Sequence, residues 1–266
     1  MRQPLQAPSP ARRPTQLGRL MDVRGVLGGA VQALGKRIVA GEWKPGEGLP
    51  TESEFMAELG VGRSVVREAV RILNAKGLVR SRPMDGTRVQ PRAEWRLVDP
   101  DIIQWRIEAA DRRTLFDDLL HARLALEPGV AWAATASKDE TARARVDAAW
   151  RAKIAPSQAT DAPEAQREKF IEADLEFHRA LLAAAGSETL QQFFAVIEAA
   201  LALSLDVQMQ AKGSVTTVTG MDESNELHRR VYEAFARGDS EGAQDAMRAL
   251  IRSAMTDASE GLSRIG

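Results

Sequence analysis

The 266-residue sequence contains no cysteine, so disulfide bonds, thiolate metal ligands and cysteine nucleophiles are excluded. No apolar run approaches the roughly 18 residues that a membrane-spanning helix needs. A signal peptide is not expected either, because residues 1–20 are rich in Pro, Arg and Gln and contain no apolar segment. We therefore expect a cytoplasmic protein with a disordered extension over residues 1–22, in which Met21 is an alternative start to Met1.

A large net charge is also lacking, because the formal value is only −1, but the two halves of the chain differ. Residues 1–95 contain 16 Lys and Arg against 9 Asp and Glu, and the remainder contains 20 against 28. A basic N-terminal half followed by an acidic C-terminal half is typical of a DNA-reading module attached to a regulatory module. The alternative is an uneven surface charge without a partner.

The stretch from Leu49 to Val89, LPTESEFMAELGVGRSVVREAVRILNAKGLVRSRPMDGTRV, predicts two helices followed by a two-stranded wing. The pair Thr51 and Glu54 forms a capping box that begins the first helix, and Gly60 ends it. The second helix opens at Gly62 and runs to about Lys76. After it, strands are predicted over 78–82 and 87–90, joined by a turn through residues 85 and 86.

The second helix has an apolar face and a polar face. The apolar face carries Val66, Ala69, Val70 and Leu73, and the polar face carries Ser64, Arg67, Glu68 and Arg71, with Arg63 at its N-terminal edge. A helix that buries one side and projects arginines from the other suits the major groove of DNA.

Every apolar pattern from residue 113 onward has a helical period, and no strand pattern appears after residue 92. Together with a short helix over 101–109, we predict seven helices, the others being Leu115–Ala136, Lys138–Ile154, Glu164–Ala185, Glu188–Gln210, Glu223–Arg237 and Ser240–Arg264. Loops are predicted over 156–163 and 213–220. The predicted fold class is mostly α: a winged helix-turn-helix with a two-stranded wing, then an all-α antiparallel bundle.

The predicted domains are a DNA-binding domain over 23–92, with its helix-turn-helix over 52–71, a linker with a short helix over 93–112, and a helical domain over 113–264. The first helix of the DNA-binding domain is expected over Val23–Ala40. In the linker, Trp95 and Trp105 either pack one domain against the other or fill the core beside the short helix. A second capping box is predicted at Ser137 and Glu140.

Two histidines and an aspartate of the bundle have a spacing that metal sites use. Asp174 and His178 lie four residues apart on one helix face, and His228 on a later helix could complete the group. The alternative is a surface ion pair between Asp174 and His178, because this spacing is common without a metal. The third histidine, His121, is interpreted as structural.

The stretch over 49–89 closely resembles the winged helix-turn-helix of GntR-type bacterial transcription regulators. The resemblance implies that Arg63 and Arg67 contact DNA bases or phosphates, that Ser64 faces the operator, and that Gly86 approaches the minor groove. Two positions depart from the commonest family pattern, namely Ser53, where many members have arginine, and Gly62, where many have serine or threonine. The operator sequence is therefore expected to differ from the common one.

Three segments of the bundle resemble the FCD ligand-binding domain of the FadR subfamily: LFDDLLHARLALEPGVAWAA, ADLEFHRALLAAAGSETL and NELHRRVYEAFARGDSEGAQDAMRAL. The resemblance implies a divalent metal, such as Zn, Mn or Ni, on Asp174, His178 and His228. The fourth ligand position of that domain falls on Leu250, which cannot coordinate. Three ligands can still hold zinc when water or an effector carboxylate completes the coordination shell. In the fatty-acid-responsive branch of the subfamily, the domain holds no metal.

The FCD resemblance also places Arg123 where related domains reach toward an effector carboxylate, which suits the fork of a guanidinium. The alternative is a salt bridge between Arg123 and Glu127. The linker segment PRAEWRLVDPDIIQW, together with Ser53 and Leu250, resembles the galactonate-operon repressors and their sugar-acid-responsive relatives. That resemblance implies an aldonate or similar hydroxy acid as inducer.

The function expected from these features is that of a homodimeric repressor of a sugar-acid catabolic operon, released from double-stranded operator DNA by a carboxylate. Alternatives are a response to lactate, gluconate or a dicarboxylate, or to a divalent metal itself. A metal-dependent hydrolase with an appended DNA-binding domain is the alternative from another class. We predict that the protein is not an enzyme, because no nucleophile motif and no general base beside the Asp-His-His group are identifiable.

Overall fold

The computed structural model describes residues 25–109, 112–155, 163–194, 196–199, 201 and 222–265. The extension expected over 1–22 and the loop expected over 213–220 lie outside these residues, as does the loop over 156–163 apart from its last residue, where a helix begins. No helix in the described part of the chain is long and apolar enough to cross a membrane.

Three helices and a hairpin make up the N-terminal part, as predicted. The elements are α1 (Gly25–Val39), α2 (Glu52–Leu59), α3 (Arg63–Ala75), β1 (Val79–Arg82) and β2 (Gly86–Val89). The capping box of α2 is confirmed, because the Thr51 side chain accepts from the backbone N–H of Glu54 while the Glu54 side chain accepts from that of Thr51. Gly60 ends α2 in the left-handed conformation, with φ of 65°.

The wing differs from its prediction at the turn. The antiparallel strands pair Val79 with Val89 and Arg82 with Gly86, so the turn comprises residues 83–85 and Gly86 begins β2. The tip of the wing is Met84, which is fully exposed and has a positive φ of 64°. The prediction placed Gly86 in the turn and began the second strand at Thr87, whereas the observed register pairs Gly86 with Arg82 and leaves three residues between the strands.

A short helix joins the N-terminal part to the bundle. It is α4 (Pro100–Glu108), preceded by a single 3₁₀ turn, and Asp99 caps it by accepting from two backbone N–H groups. Trp105 of α4 is buried in the same apolar cluster as the core of α1 and α3, and its indole nitrogen donates to Gln32 at 2.7 Å. Trp95 packs on the edge of that cluster.

The described residues of the C-terminal part form helices joined by short turns and contain no strand. Its helices are α5 (Arg112–Ala136), α6 (Glu140–Ile154), α7 (Pro163–Ala184), α8 (Glu188–Gln191), α9 (Asp222–Arg237) and α10 (Ser240–Ile265). Helices α5 and α10 pack along each other, and α6 packs along α7. Their buried apolar side chains, from Val130 to Ile251, form one continuous core.

One predicted helix cap in the bundle was wrong, and one predicted helix is interrupted. Helix α6 is capped by Asp139, which accepts from the N–H groups of Thr141 and Ala142, and not by a box that begins at Ser137. The helix predicted over Glu188–Gln210 is interrupted, because α8 ends at Gln191 and helical backbone resumes at residue 194, while residues 202–210 lie outside the described part of the chain. The N–H of Phe193 bonds to the carbonyl three residues back, so the α-helical ladder is interrupted there.

Candidate functional site

Helix α3 presents a polar face to solvent beside the wing. The side chains of Arg63 and Arg67 are 64% and 71% exposed, and Glu52 approaches them only at 3.9 and 3.7 Å. Arg71 is equally exposed but is held by Glu68, whose carboxylate accepts at 2.8 Å from Nε and at 2.6 Å from a terminal nitrogen. The two N-terminal arginines are therefore freer to reach a partner than Arg71 is.

The start of α3 is also open toward a partner. Gly62 precedes the helix and, having no side chain, provides no cap for its first turn. The next residues, Arg63 and Ser64, are exposed. Uncapped N–H groups at a helix N-terminus attract anions such as phosphate, so Gly62, which departs from the family pattern, leaves this end available to the DNA backbone.

A groove of about 820 Å³ runs between α3 and the wing. Its charged lining comprises Arg67 and Arg71 from α3, Arg82 from β1 and a single carboxylate, that of Glu52; Gly86 lies at its rim. A concave surface with three arginines suits a polyanion, because each guanidinium can bind a phosphate oxygen. The groove brings together the predicted residues Arg67, Arg71 and Gly86.

The predicted histidine centre is formed inside the bundle. Asp174 and His178 of α7 and His228 of α9 are buried, and one ligand atom from each lies within 4.8 Å of the others. The Nε2 atoms of His178 and His228 are 3.3 Å apart, and Oδ1 of Asp174 is 3.2 Å from Nε2 of His228. The surface ion pair considered for Asp174 and His178 is therefore wrong, because both side chains are buried.

The other ring nitrogen of each histidine faces an acceptor. Nδ1 of His228 lies 2.7 Å from the carbonyl oxygen of Ser224, and Nδ1 of His178 lies 2.6 Å from Oε2 of Glu127. With a proton on Nδ1 of each ring, Nε2 of each ring carries a lone pair that faces the centre. This orientation is the one that metal-binding histidines adopt.

Arg123 lies beside this centre and is buried with Glu127. Its Nε donates to Oε1 of Glu127 at 2.5 Å, so the salt bridge considered as an alternative is present. Burial alone would raise the pKa of Glu127, but the charges of Arg123 and His178 outweigh burial and lower this pKa to about 2. Glu127 is therefore ionised at neutral pH and links Arg123 to His178.

Lys153 of α6 is a member of the centre that the sequence did not reveal. Its Nζ donates to Oδ1 of Asp174 at 2.5 Å, and its side chain is completely buried. Burial would raise the pKa of Asp174, but the Lys153 charge holds this pKa well below its usual range. Burial, followed by the same charge, lowers the pKa of His228 to about 4, so that ring is neutral at neutral pH.

The three side chains could hold a divalent metal, but their surroundings fit one poorly. The spacing is suitable, because two nitrogens bound to one tetrahedral zinc at about 2.0–2.1 Å stand about 3.3 Å apart. Against it, Leu250, at the fourth position, is buried in the apolar core and offers no donor. Lys153 already places a positive charge on Asp174, which a metal would have to share.

The third histidine, His121, which the sequence analysis interprets as structural, is exposed on α5, and its Nδ1 lies 2.7 Å from the carbonyl oxygen of Asp117. It is not a member of the Asp-His-His group. No spacing rule would have found Lys153, since 21 residues separate it from Asp174.

Two family models match the chain. The model described as "Bacterial regulatory proteins, gntR family" matches residues 28–89, which contain α2, α3 and the wing. The model of the FCD domain matches residues 118–253, which contain Arg123, Lys153 and the Asp-His-His group.

Individual proteins resemble the chain over most of its length. The galactonate operon transcriptional repressor of Escherichia coli strain K12 is 30% identical over 224 residues, which cover 84% of this chain and 92% of that protein. The transcriptional repressor NanR of E. coli strain K12/DH10B is 31% identical over 220 residues, covering 80% and 76%. Among solved structures, Streptococcus agalactiae GntR is 25% identical, with a TM-score of 0.43 and coverages of 85% and 98%.

Proposed function

The chain belongs to the gntR family of bacterial regulatory proteins, with a C-terminal FCD domain, and from this premise we propose that it is a homodimeric repressor released by a sugar acid. Members of the family are DNA-binding transcription regulators and not enzymes. The similarity to the galactonate operon repressor, which extends through both domains, carries the proposal of a sugar-acid operon.

The DNA-reading surface in this proposal is the face of α3 together with the groove beside the wing. In a homodimer, two copies of α3 read the two halves of a pseudo-palindromic operator in adjacent major grooves. Arg63 and Arg67 supply base or phosphate contacts, Ser64 and Arg71 support them, and Gly86 brings the wing backbone close to the minor groove. Sedimentation of the free protein and of its DNA complex tests the dimer directly.

The effector-binding group in this proposal is Arg123. Its Nε is engaged by Glu127, and a guanidinium has four further N–H donors, which form the fork that binds a carboxylate. A sugar acid offers that carboxylate and hydroxyl groups for the neighbouring polar side chains. The alternative effectors are lactate, gluconate or a dicarboxylate, which share the carboxylate and differ in the remainder.

A thermal-shift panel of sugar acids and small carboxylates tests this proposal. A ligand present at about 100 times its Kd stabilises the native state by about 2.7 kcal/mol, which raises Tm measurably. We expect an aldonate to raise Tm and to release the protein from its operator in the same concentration range. A panel in which only a dicarboxylate or lactate does both would replace the sugar-acid assignment.

The variant Arg123→Lys tests the role of the guanidinium while keeping a positive charge beside Glu127. We expect it to bind the operator like the wild type and to need at least about tenfold more effector for release, because lysine cannot bind a carboxylate bidentately. Arg143→Lys is the matched control, since Arg143 is a half-buried arginine of the same bundle that donates to backbone carbonyls. Equal effector responses in the two variants would remove Arg123 from the site.

A further inference from the structure

We infer that the ammonium of Lys153 supplies the positive charge of the Asp174, His178 and His228 centre, in place of the divalent metal that such a group would otherwise bind. The inference concerns what occupies the centre and does not depend on which effector the protein recognises.

The ammonium of Lys153 lies against the carboxylate oxygen that faces the histidines. Its Nζ is 2.5 Å from Oδ1 of Asp174, the same oxygen that lies 3.2 Å from Nε2 of His228. The ammonium also lies 4.6 Å from the centre of the Phe170 ring, which stabilises a cation through its π face. The carboxylate oxygen that faces the histidines therefore already has a cationic partner that is shielded from water.

The buried charges around the centre also disfavour a divalent metal. Lys153 is paired with Asp174, and Arg123 is paired with Glu127, so each buried carboxylate of the centre already has a cationic partner. A divalent ion would leave two uncompensated positive charges in a site that water does not reach. Burying uncompensated charge is strongly unfavourable, and the ion would also repel the ammonium beside it.

The absence of a fourth ligand also disfavours a metal at this centre. Leu250 of α10, at the position that the FCD resemblance gives to a third imidazole, is buried with the apolar side chains of the bundle and offers no donor atom. Two features thus act together at one centre: the fourth position offers no donor for the metal, and the buried ammonium repels a metal cation.

Metal binding by four proteins tests the inference: wild type, Lys153→Met, Leu250→His and the double variant. Each is incubated with Co²⁺, desalted and measured for cobalt content and for visible d–d absorption, which reports coordination. Lys138→Met is the matched control, because Lys138 is an exposed lysine just before α6. We expect the wild type, Lys138→Met and Leu250→His to retain far less than one cobalt per chain.

Lys153→Met is expected to bind Co²⁺ about 10–100-fold more tightly than the wild type, and the double variant to retain one cobalt per chain with clear d–d bands. Adding His178→Ala to the double variant should abolish those bands. The inference is overturned if the wild type keeps about one cobalt or zinc per chain after desalting. It is also overturned if Leu250→His alone keeps about one cobalt or zinc per chain. This comparison remains valid even if Lys153→Met fails to fold.

Discussion

At the scale of single residues, the arginines of α3 differ in how firmly the protein already holds them. Arg63 and Arg67 are exposed and only loosely approached by Glu52, whereas Arg71 is bound through two nitrogens by Glu68. An arginine that is already paired must give up that pair before it can bind DNA. The three residues therefore belong to one predicted surface but are not expected to contribute equally.

Replacing Arg63 or Arg67 by alanine is expected to cost about 1–3 kcal/mol of operator binding each, because each removes a charged fork from the reading face. The operator is first isolated by selecting genomic fragments with the wild-type protein, and affinities are then compared by fluorescence anisotropy. Arg230→Ala, which removes an equally exposed arginine from α9, should bind like the wild type. Wild-type affinity in both α3 variants would show that another surface reads the DNA.

Replacing Glu68 by glutamine is expected to tighten DNA binding, because it removes a negative charge from the reading face and frees Arg71. If Arg71 then binds a phosphate, the plot of log K against log salt should steepen by about 0.9. Glu226→Gln makes the same charge change on α9, where the carboxylate also binds an arginine, and should alter neither quantity. An unchanged slope in Glu68→Gln would mean that Arg71 does not contact the DNA backbone.

Sequence reasoning found the site residues that lie within one helix and missed the one that lies on a different helix. Arg63, Arg67 and the pair Asp174 and His178 follow from helical spacing within one element, which the sequence displays directly. Lys153 lies on a different helix from Asp174 and became visible only when α6 was packed along α7. A contact between helices depends on their packing, and periodicity does not specify it.

At the scale of elements, the contact between α1 and α4 depends on a glycine. A Cβ placed on Gly35 would lie 2.4 Å from the nearest atom of the Trp105 ring, so the indole lies directly against the α1 backbone. Gly29 of the same helix is exposed and has no atom within 4 Å of such a Cβ. Glycine weakens a helix at both positions, and at Gly35 that weakness is offset by close packing.

The two glycines therefore predict opposite effects of one substitution. Gly35→Ala should destabilise the protein by about 1–3 kcal/mol, because the rigid Trp105 ring cannot move away without breaking its packing. Gly29→Ala should stabilise it by up to about 1 kcal/mol through helix propensity. Urea denaturation followed by tryptophan fluorescence measures both, and a stabilising Gly35→Ala would contradict the observed contact.

Helix ends were predicted correctly where the local sequence signals agree. The predictions failed where those signals compete. The α2 cap at Thr51 and Glu54 and the stop at Gly60 are local, and both were confirmed. The interruption of the helix after Gln191 was not predicted, because the apolar pattern continues through it while the backbone of residues 192 and 193 forms tighter turns. At the start of α6, Asp139 and Ser137 are both good caps, and the sequence does not decide between them.

At the scale of the whole molecule, α4 contacts both parts of the protein. Its Trp105 is buried with α1 and α3, while Ile103 packs with Leu115 and Leu119 of α5. At the end of α3, the ammonium of Lys76 lies 2.8 Å from carboxylate oxygens of both Asp99 and Asp101. A shift of α5 caused by an effector would therefore reach the recognition helix through α4.

Replacing Lys76 by methionine keeps the length of the side chain and removes its charge, which leaves Asp99 and Asp101 without their shared cation. We expect a loss of about 1–3 kcal/mol in stability, because partly buried carboxylates lose a charged partner. We also expect a weaker effect of the effector on operator affinity, since α3 and α4 are less firmly joined. Exposed Lys44→Met provides the comparison, and an unchanged effector response in Lys76→Met would exclude this route.

The burial of Trp105 against Gly35 limits where the DNA-binding part can be separated from the bundle and fused to another domain. A fragment that ends at residue 92 would lose α4 and would uncover the apolar strip of α1 that the indole occupies, so it should aggregate or unfold. A fragment that extends to residue 109 would keep Trp105 against Gly35, and the new sensor would have to cover Ile103 as α5 does. Gene fusions that respect this limit would retain a stable reading module, and the new junction would fall between α4 and α5.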